Sequence, residues 1–137
     1  MAAFQKYHLA IEDAFNKQHD FGADTFAIIL SNTAPTVATN NTQANASEIA
    51  AGNGYTTGGE TITITSAVQT AGVLSVVPAA DVVFTATGGS MAPFRYAIFL
   101  NVTANKLVSF WDRGSELTLL DNDTLTFDVE SSLFTAS

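Results

Sequence analysis

The sequence predicts a mainly β fold, an antiparallel sandwich of jelly-roll-like form with a short helix near its N-terminus. Three observations predict it. Threonine occurs eighteen times, as often as Lys, Arg, Asp and Glu together, and its β-branched side chain favours extended backbone. Short runs that alternate apolar and polar residues recur along the chain, the period of a half-buried strand. Clusters of Gly, Asn and Asp punctuate these runs at the spacing expected of sandwiches and barrels. A length of 137 residues fits one domain spanning 1–137.

Within the N-terminal segment 1–22, Phe4, Tyr7, Ile11 and Phe15 fit a helical stripe, while Tyr7, Leu9, Ile11 and Phe15 also fit alternation. The good helix formers between them favour an amphipathic helix over 4–18, ended by His19-Asp20-Phe21-Gly22. Residues 24–30, DTFAIIL, are apolar on both faces and predict a central strand. Residues 31–47, SNTAPTVATNNTQANAS, hold almost no large apolar group and predict a polar surface loop or contact arm.

Residues 50–61, AAGNGYTTGGET, crowd Gly52, Gly54, Gly58 and Gly59 around Tyr55. A glycine loop that cradles phosphate follows a strand and opens a helix, whose amides point at the anion. Here the glycines precede the alternating TITIT, and the nearest charge, Glu60, would repel a phosphate. The glycines are therefore expected to turn the chain, as are Gly88 and Gly89, with Tyr55 anchoring the sandwich end. ETITITSAVQ then predicts a strand with Ile62 and Ile64 inward. VLSVV, ADVVFTAT and FRYAIFLN follow, the last with Phe94, Tyr96, Ile98 and Leu100 on one face. KLVSFWD ends at Gly114, and DTLTFDVE places Leu125, Phe127 and Val129 inward. Seven to nine strands result.

Charge and composition exclude several functions. The net charge of −8 opposes nucleic acid and anionic membranes, so neither is expected as a partner. The absence of cysteine excludes disulfides, thiolate metal sites and cysteine nucleophiles. The opening MAAFQKYHLAIEDAF lacks the basic and apolar regions of an export signal, and no stretch approaches ~18 apolar residues. A soluble, unexported chain is expected. The charged fraction of 13% is about half the usual ~25%, a surface suited to life in an assembly.

No catalytic, cofactor-binding or metal-binding residue is expected, and no enzymatic activity. His8 and His19 lack the spacing of a metal shell, and G-x-S-x-G does not occur. Asp121-Asn122-Asp123-Thr124 resembles the opening of a calcium loop, but Thr126 and Ser132 stand where glycine and the bidentate acid belong. A turn explains these residues, because Asp and Asn bond their own backbone. Acids such as Glu12 and Asp13 have no fixed separation for glycoside hydrolysis. The N-x-S/T triplets at Asn40, Asn45, Asn101 and Asn122 follow from composition. Aromatic residues and arginine dominate protein contacts, so the interface candidates are Phe4, Tyr7, Arg95, Tyr96, Trp111 and Arg113. Alternation with Leu107 and Ser109 favours a core position for Trp111, and Arg113 is expected to seek an acid.

Four stretches, HDFGADTFAIILSNTAP, EIAAGNGYTTGGETITI, DVVFTATGGSMAPFRYAIFLN and FWDRGSELTLLDNDTLTFDV, cover most of the chain in order. In these the sequence resembles small structural proteins of tailed bacteriophages encoded among head genes. An aromatic often follows the Trp-Asp pair in such sequences, whereas Arg113 stands here. The resemblance implies a decoration or cement protein on the capsid exterior, made in the bacterial cytoplasm, with the major capsid protein as partner and self-association as a homodimer or homotrimer. The alternative is a tail or baseplate module that recognises a host glycan or an adaptor protein.

Overall fold

The computed structural model describes residues 3–127 and 134–136. The elements are β1 (Ala3–Lys6), α1 (His8–Phe15), β2 (Phe26–Ser31), β3 (Glu60–Ile62), β4 (Ile64–Thr70), β5 (Val73–Pro78), β6 (Val82–Thr85), β7 (Phe94–Asn101), β8 (Lys106–Leu117), β9 (Thr124–Phe127) and β10 (Phe134–Ala136). All strand pairings are antiparallel. The main sheet has the order β1-β8-β7-β2-β3, and two smaller sheets pair β10-β5-β4 and β6-β9. The fold is thus mainly β with one short helix, while sheets of five, three and two strands do not establish a jelly roll.

The main sheet is covered on both faces. On one face Phe26, Ile28, Leu30, Phe99, Val108 and Trp111 meet Val76, Val82 and Phe84 from the smaller sheets. On the other, Ile29, Ile98, Leu100, Leu107 and Phe110 pack with Tyr7, Ala10 and Ala46. Alternation in β2 accounts for this division, since successive side chains point to opposite faces. All six residues of β2 are buried, which matches its reading as a central strand. Each fully buried Leu, Ile or Phe contributes roughly 1.5–3 kcal/mol relative to an exposed one.

The structure corrects five details of the sequence reading. The N-terminal segment is not one helix over 4–18: residues 3–6 pair with β8, and α1 begins only at His8. Cross-strand packing of Phe4 on Trp111, with ring centroids 5.3 Å apart, outweighs local helix propensity there. ETITITSAVQ is two strands, because β3 pairs with β2 and β4 pairs with β5. A register shift between Phe94 and Tyr96 turns Phe94 to the face opposite Tyr96, Ile98 and Leu100. Strand β8 continues past Gly114 to Leu117, since glycine accommodates the φ of 94° at this irregularity. The inward placement of Val129 lies outside the described residues.

The fifth correction concerns residues 31–47, which are a cover on the sheet and not a free arm. The His8 amide donates to the Val37 carbonyl at 3.0 Å and the Leu107 amide to the Asn41 carbonyl at 2.8 Å. Ser31 Oγ donates to the Ser47 carbonyl at 2.9 Å. Ala46 is buried and Val37 packs beside it. A 3-10 turn at Gln43–Ala46 is held by reciprocal bonds between Thr42 and Asn45. Polar composition hid two small apolar anchors and a backbone that finds its partners in α1 and β8.

The glycine cluster turns the chain. Gly52 and Tyr55 exchange backbone hydrogen bonds of 2.8 and 3.1 Å around Asn53 and Gly54, whose positive φ values are those of an Asn-Gly type I′ turn. At Gly59, also of positive φ, a Cβ would collide with the Ile28 carbonyl oxygen. Only glycine lets these backbones meet.

Candidate interaction surface

Five of the six interface candidates gather at one end of the main sheet. The register sets Phe4 opposite Trp111, and Tyr96 opposite Asp112. Arg95 lies in the irregularity before Tyr96, where its Nε and Nη2 donate to Asp112 Oδ1 and Oδ2 at 2.7 and 2.9 Å. The guanidinium also sits 5.3 Å from the centre of the Tyr96 ring. The Arg95 hydrogen bond, followed by the Gly114 amide, holds the Asp112 carboxyl below its ordinary value of 3.8, and the same contact raises Arg95. An exposed pair of this kind adds little stability; its fork geometry fixes where both groups point.

Burial divides the candidates into supports and contacts. Trp111 is core, in edge contact with Phe127 at 5.0 Å, and Tyr96 is nearly buried against Phe110. Tyr7 does not belong to the surface at all. It is fully buried under α1, 5.3 Å from Phe110, and burial pushes its phenol above the ordinary value of 10.0. Phe4 remains 37% exposed. Arg113 is exposed, and its Nη1 donates to the carbonyl and Oγ of Ser115 at 3.0 and 2.9 Å. It makes no ion pair among the described residues, while the adjacent Asp112 is paired with Arg95. Beside it Asn32 Nδ2 donates to Glu116 Oε2 at 2.6 Å. The exposed groups at this end are therefore Phe4, which packs on Trp111, Arg95, paired with Asp112, and Arg113 and Glu116 of β8.

A second polar cluster, which the sequence reading missed, joins the α1 end to the β7–β8 turn. Asn101 is fully buried. Its Oδ1 accepts from the Ala104 amide at 3.0 Å, which fixes the amide orientation. Its Nδ2 faces the Gln18 carbonyl at 3.2 Å, Asp24 Oδ2 at 2.8 Å and His19 Nδ1 at 3.1 Å. The Gln18 carbonyl and the Asp24 carboxylate accept from the two N–H groups of this amide, and His19 Nδ1 faces the same nitrogen. Nε2 is buried with no hydrogen-bond partner among the described residues. Burial, assisted by Lys106, lowers the His19 pKa below 6.5 against the opposing pull of Asp13 and Asp24. Nearby Asn41, its amide nitrogen oriented toward Asp13, bridges Asp13 Oδ2 at 2.7 Å and Lys106 Nζ at 2.9 Å. A polar Asn closing the apolar run Ala97–Leu100 of FRYAIFLN was the available signal.

A third cluster holds the glycine turns. The Tyr55 hydroxyl donates to Glu48 Oε2 and accepts from the buried Leu30 amide at 3.1 Å. Glu48 also accepts from the Gly58 amide at 2.7 Å and from Gln43 at 3.1 Å. Burial and the Glu48 hydrogen bond push the Tyr55 phenol upward. This is structural chemistry: the hydroxyl satisfies a backbone amide at the centre of the fold.

Among the described residues no group of three or more His, Cys, Asp or Glu is placed to hold a metal, and no helix is long and apolar enough to cross a membrane. No protein-family model, curated protein or solved structure matches the chain.

Proposed function

We propose that the chain is a virion structural protein, a decoration or cement protein that binds the outside of a tailed-phage capsid through the major capsid protein, with self-association adding to its grip. The observation that carries the reading is the cluster at the end of β8. Trp111, Asp112 and Arg113 of this cluster lie in FWDRGSELTLLDNDTLTFDV, one of the stretches that resemble phage head proteins, and strand pairing brings Phe4 to Trp111 and Arg95 to Asp112. Arginine and aromatic groups are the residues that anchor protein contacts. The weakly charged exterior is consistent with this role, and so are the exposed Ile11 and Phe15 side chains, one helical turn apart on α1. An oligomer that engages several shell subunits gains avidity from contacts that are individually weak. The function requires adhesion and no reaction, and the acidic net charge is tolerable outside the packaged DNA.

The test is occupancy on capsids that lack the protein. Arg113→Glu reverses an exposed charge that makes no ion pair among the described residues and leaves the core untouched. It should reduce occupancy at least tenfold, equivalent to about 1.4 kcal/mol, with an unchanged circular dichroism spectrum. Equal occupancy of variant and wild type contradicts the assignment of this surface.

A further inference from the structure

We infer that strand β4 is a self-pairing edge: two copies of the chain join their β4 strands antiparallel across a two-fold axis, making one six-stranded sheet β10-β5-β4-β4-β5-β10. This deepens the self-association part of the proposed function and rests on it.

An outer strand presents unpaired amides and carbonyls, and folded proteins protect such edges by keeping them short or charged. The other outer strands here follow that rule. Strands β1, β6 and β9 have four residues each, and β3 and β10 three; β1 also carries Lys6 and β3 carries Glu60. Strand β4, ITSAVQT, has seven residues, six of them exposed. It contains no charge and no proline, and it lies in a run from 61 to 80 with no Asp, Glu, Lys or Arg. Among the described residues its outer side has no strand neighbour. A register shift between Ile64 and Ser66 bends one end, leaving Ser66–Thr70 regular.

The hairpin geometry states which groups are free. Thr70 and Val73 flank the two-residue turn at Ala71 and Gly72, both of positive φ, so they form a hydrogen-bonded pair. Alternation then turns the amides and carbonyls of Thr70, Val68 and Ser66 toward β5, and those of Ala67 and Gln69 outward. A two-fold axis at Val68 sets Ala67 opposite Gln69 and Ser66 opposite Thr70. Ala67 and Gln69 exchange four hydrogen bonds with their mates, and the Val68 side chains, 59% exposed in the single chain, meet across the axis.

A second copy is the occupant that charge favours. At a net charge of −8, a symmetric contact elsewhere on the surface risks setting an acid against its own mate, which costs energy. Every pair in the β4 register is uncharged. The strand is also complementary to itself in size, since on the face that carries Val68 the small Ser66 and Thr70 stand on either side.

The experiment is sedimentation equilibrium of the full chain over the micromolar range, comparing wild type with Ala67→Pro. Proline deletes one outward amide and is tolerated on a strand edge. Wild type is expected at about twice the 14.4 kDa protomer mass, and Ala67→Pro at the protomer mass. Should Ala67→Pro lose its folded near-ultraviolet dichroism, Val68→Lys replaces it, because this side chain is exposed and two ammonium groups would then face each other. Val68→Cys supplies the positive test: the chain has no other thiol, and a non-hydrogen-bonded pair brings the two Cα atoms to ≈ 4.5 Å, within the range a disulfide spans. Air oxidation should therefore yield a covalent dimer. A monomeric wild type, or a dimer that persists in the folded edge variant, overturns the proposal. Loss of capsid occupancy in Ala67→Pro with a monomeric wild type overturns it too, and assigns the edge to a shell strand. Because the dimer is measured without capsids, its failure leaves the virion reading to be judged by occupancy.

Discussion

His19 shows how one side chain carries a pH dependence. Its Nδ1 faces the amide nitrogen of Asn101, whose orientation is fixed by Ala104, and its Nε2 is buried. Protonation would set an N–H against the amide nitrogen of Asn101, and burial already opposes the charged ring. Below the ordinary pKa of 6.5 the unfolded chain therefore takes up a proton that the native state resists. The unfolded state binds more protons in that window, so stability rises with pH there and falls as pH drops through it. Thermal unfolding at about pH 7.5 and about pH 5.5 should show an acid-induced loss that is smaller in His19→Gln than in wild type. Equal losses in the two proteins would separate His19 from the effect. At the same scale, glycine chemistry was readable in the sequence: Asn53-Gly54 and Gly59 sit where only positive φ serves. Tyr55 was readable as an anchor, while its partners Glu48 and Leu30 were not, because they come from residues that only the fold brings near.

At the scale of elements, the strands were legible where one face is buried and obscure where pairing partners change. TFAIIL advertises burial on both sides, FRYAIFLN shows one apolar face and is buried on both, and the hairpin around Ala71-Gly72 is local. By contrast, the break at Thr63 divides ETITIT between two sheets, a division that depends on which strands receive it. The same holds for β1, whose residues fit two periodicities until Trp111 is in place. The cover at 31–47 is the clearest case. Its composition reads as a loop, and deleting 32–46 would then leave the sheet intact. The structure predicts otherwise, since the deletion removes Val37 and Ala46 from a face that contains Ile29, Ile98, Leu100 and Phe110. Uncovering two or three such side chains costs ~1.5–3 kcal/mol each, a large share of a stability of ~5–15 kcal/mol. Denaturant titration of the deletion variant should show a lower midpoint by several kcal/mol, or no cooperative transition; a midpoint equal to wild type contradicts the packing described here.

For the whole molecule, the architecture assigns its surfaces different work. The smaller sheets and the α1 cover bury the two faces of the main sheet, so the proposed contact groups lie at margins: Phe4, Arg95 and Arg113 at one end, and the β4 edge on a smaller sheet. The interface residues were legible as types but not as places. Trp, Tyr and Arg mark contact chemistry in any sequence, and only packing separates the buried Tyr7 and Trp111 from the outward Arg113. Under the proposed function, the protein acts by adhering in number. The most direct test of that proposal is the protein's stoichiometry in purified tailed-phage particles from the source of the sequence, by quantitative mass spectrometry against the major capsid protein. A decoration protein should be present at copy numbers comparable to those of the shell subunits, and its absence from mature particles, or abundance at the level of a tail component, would contradict the account.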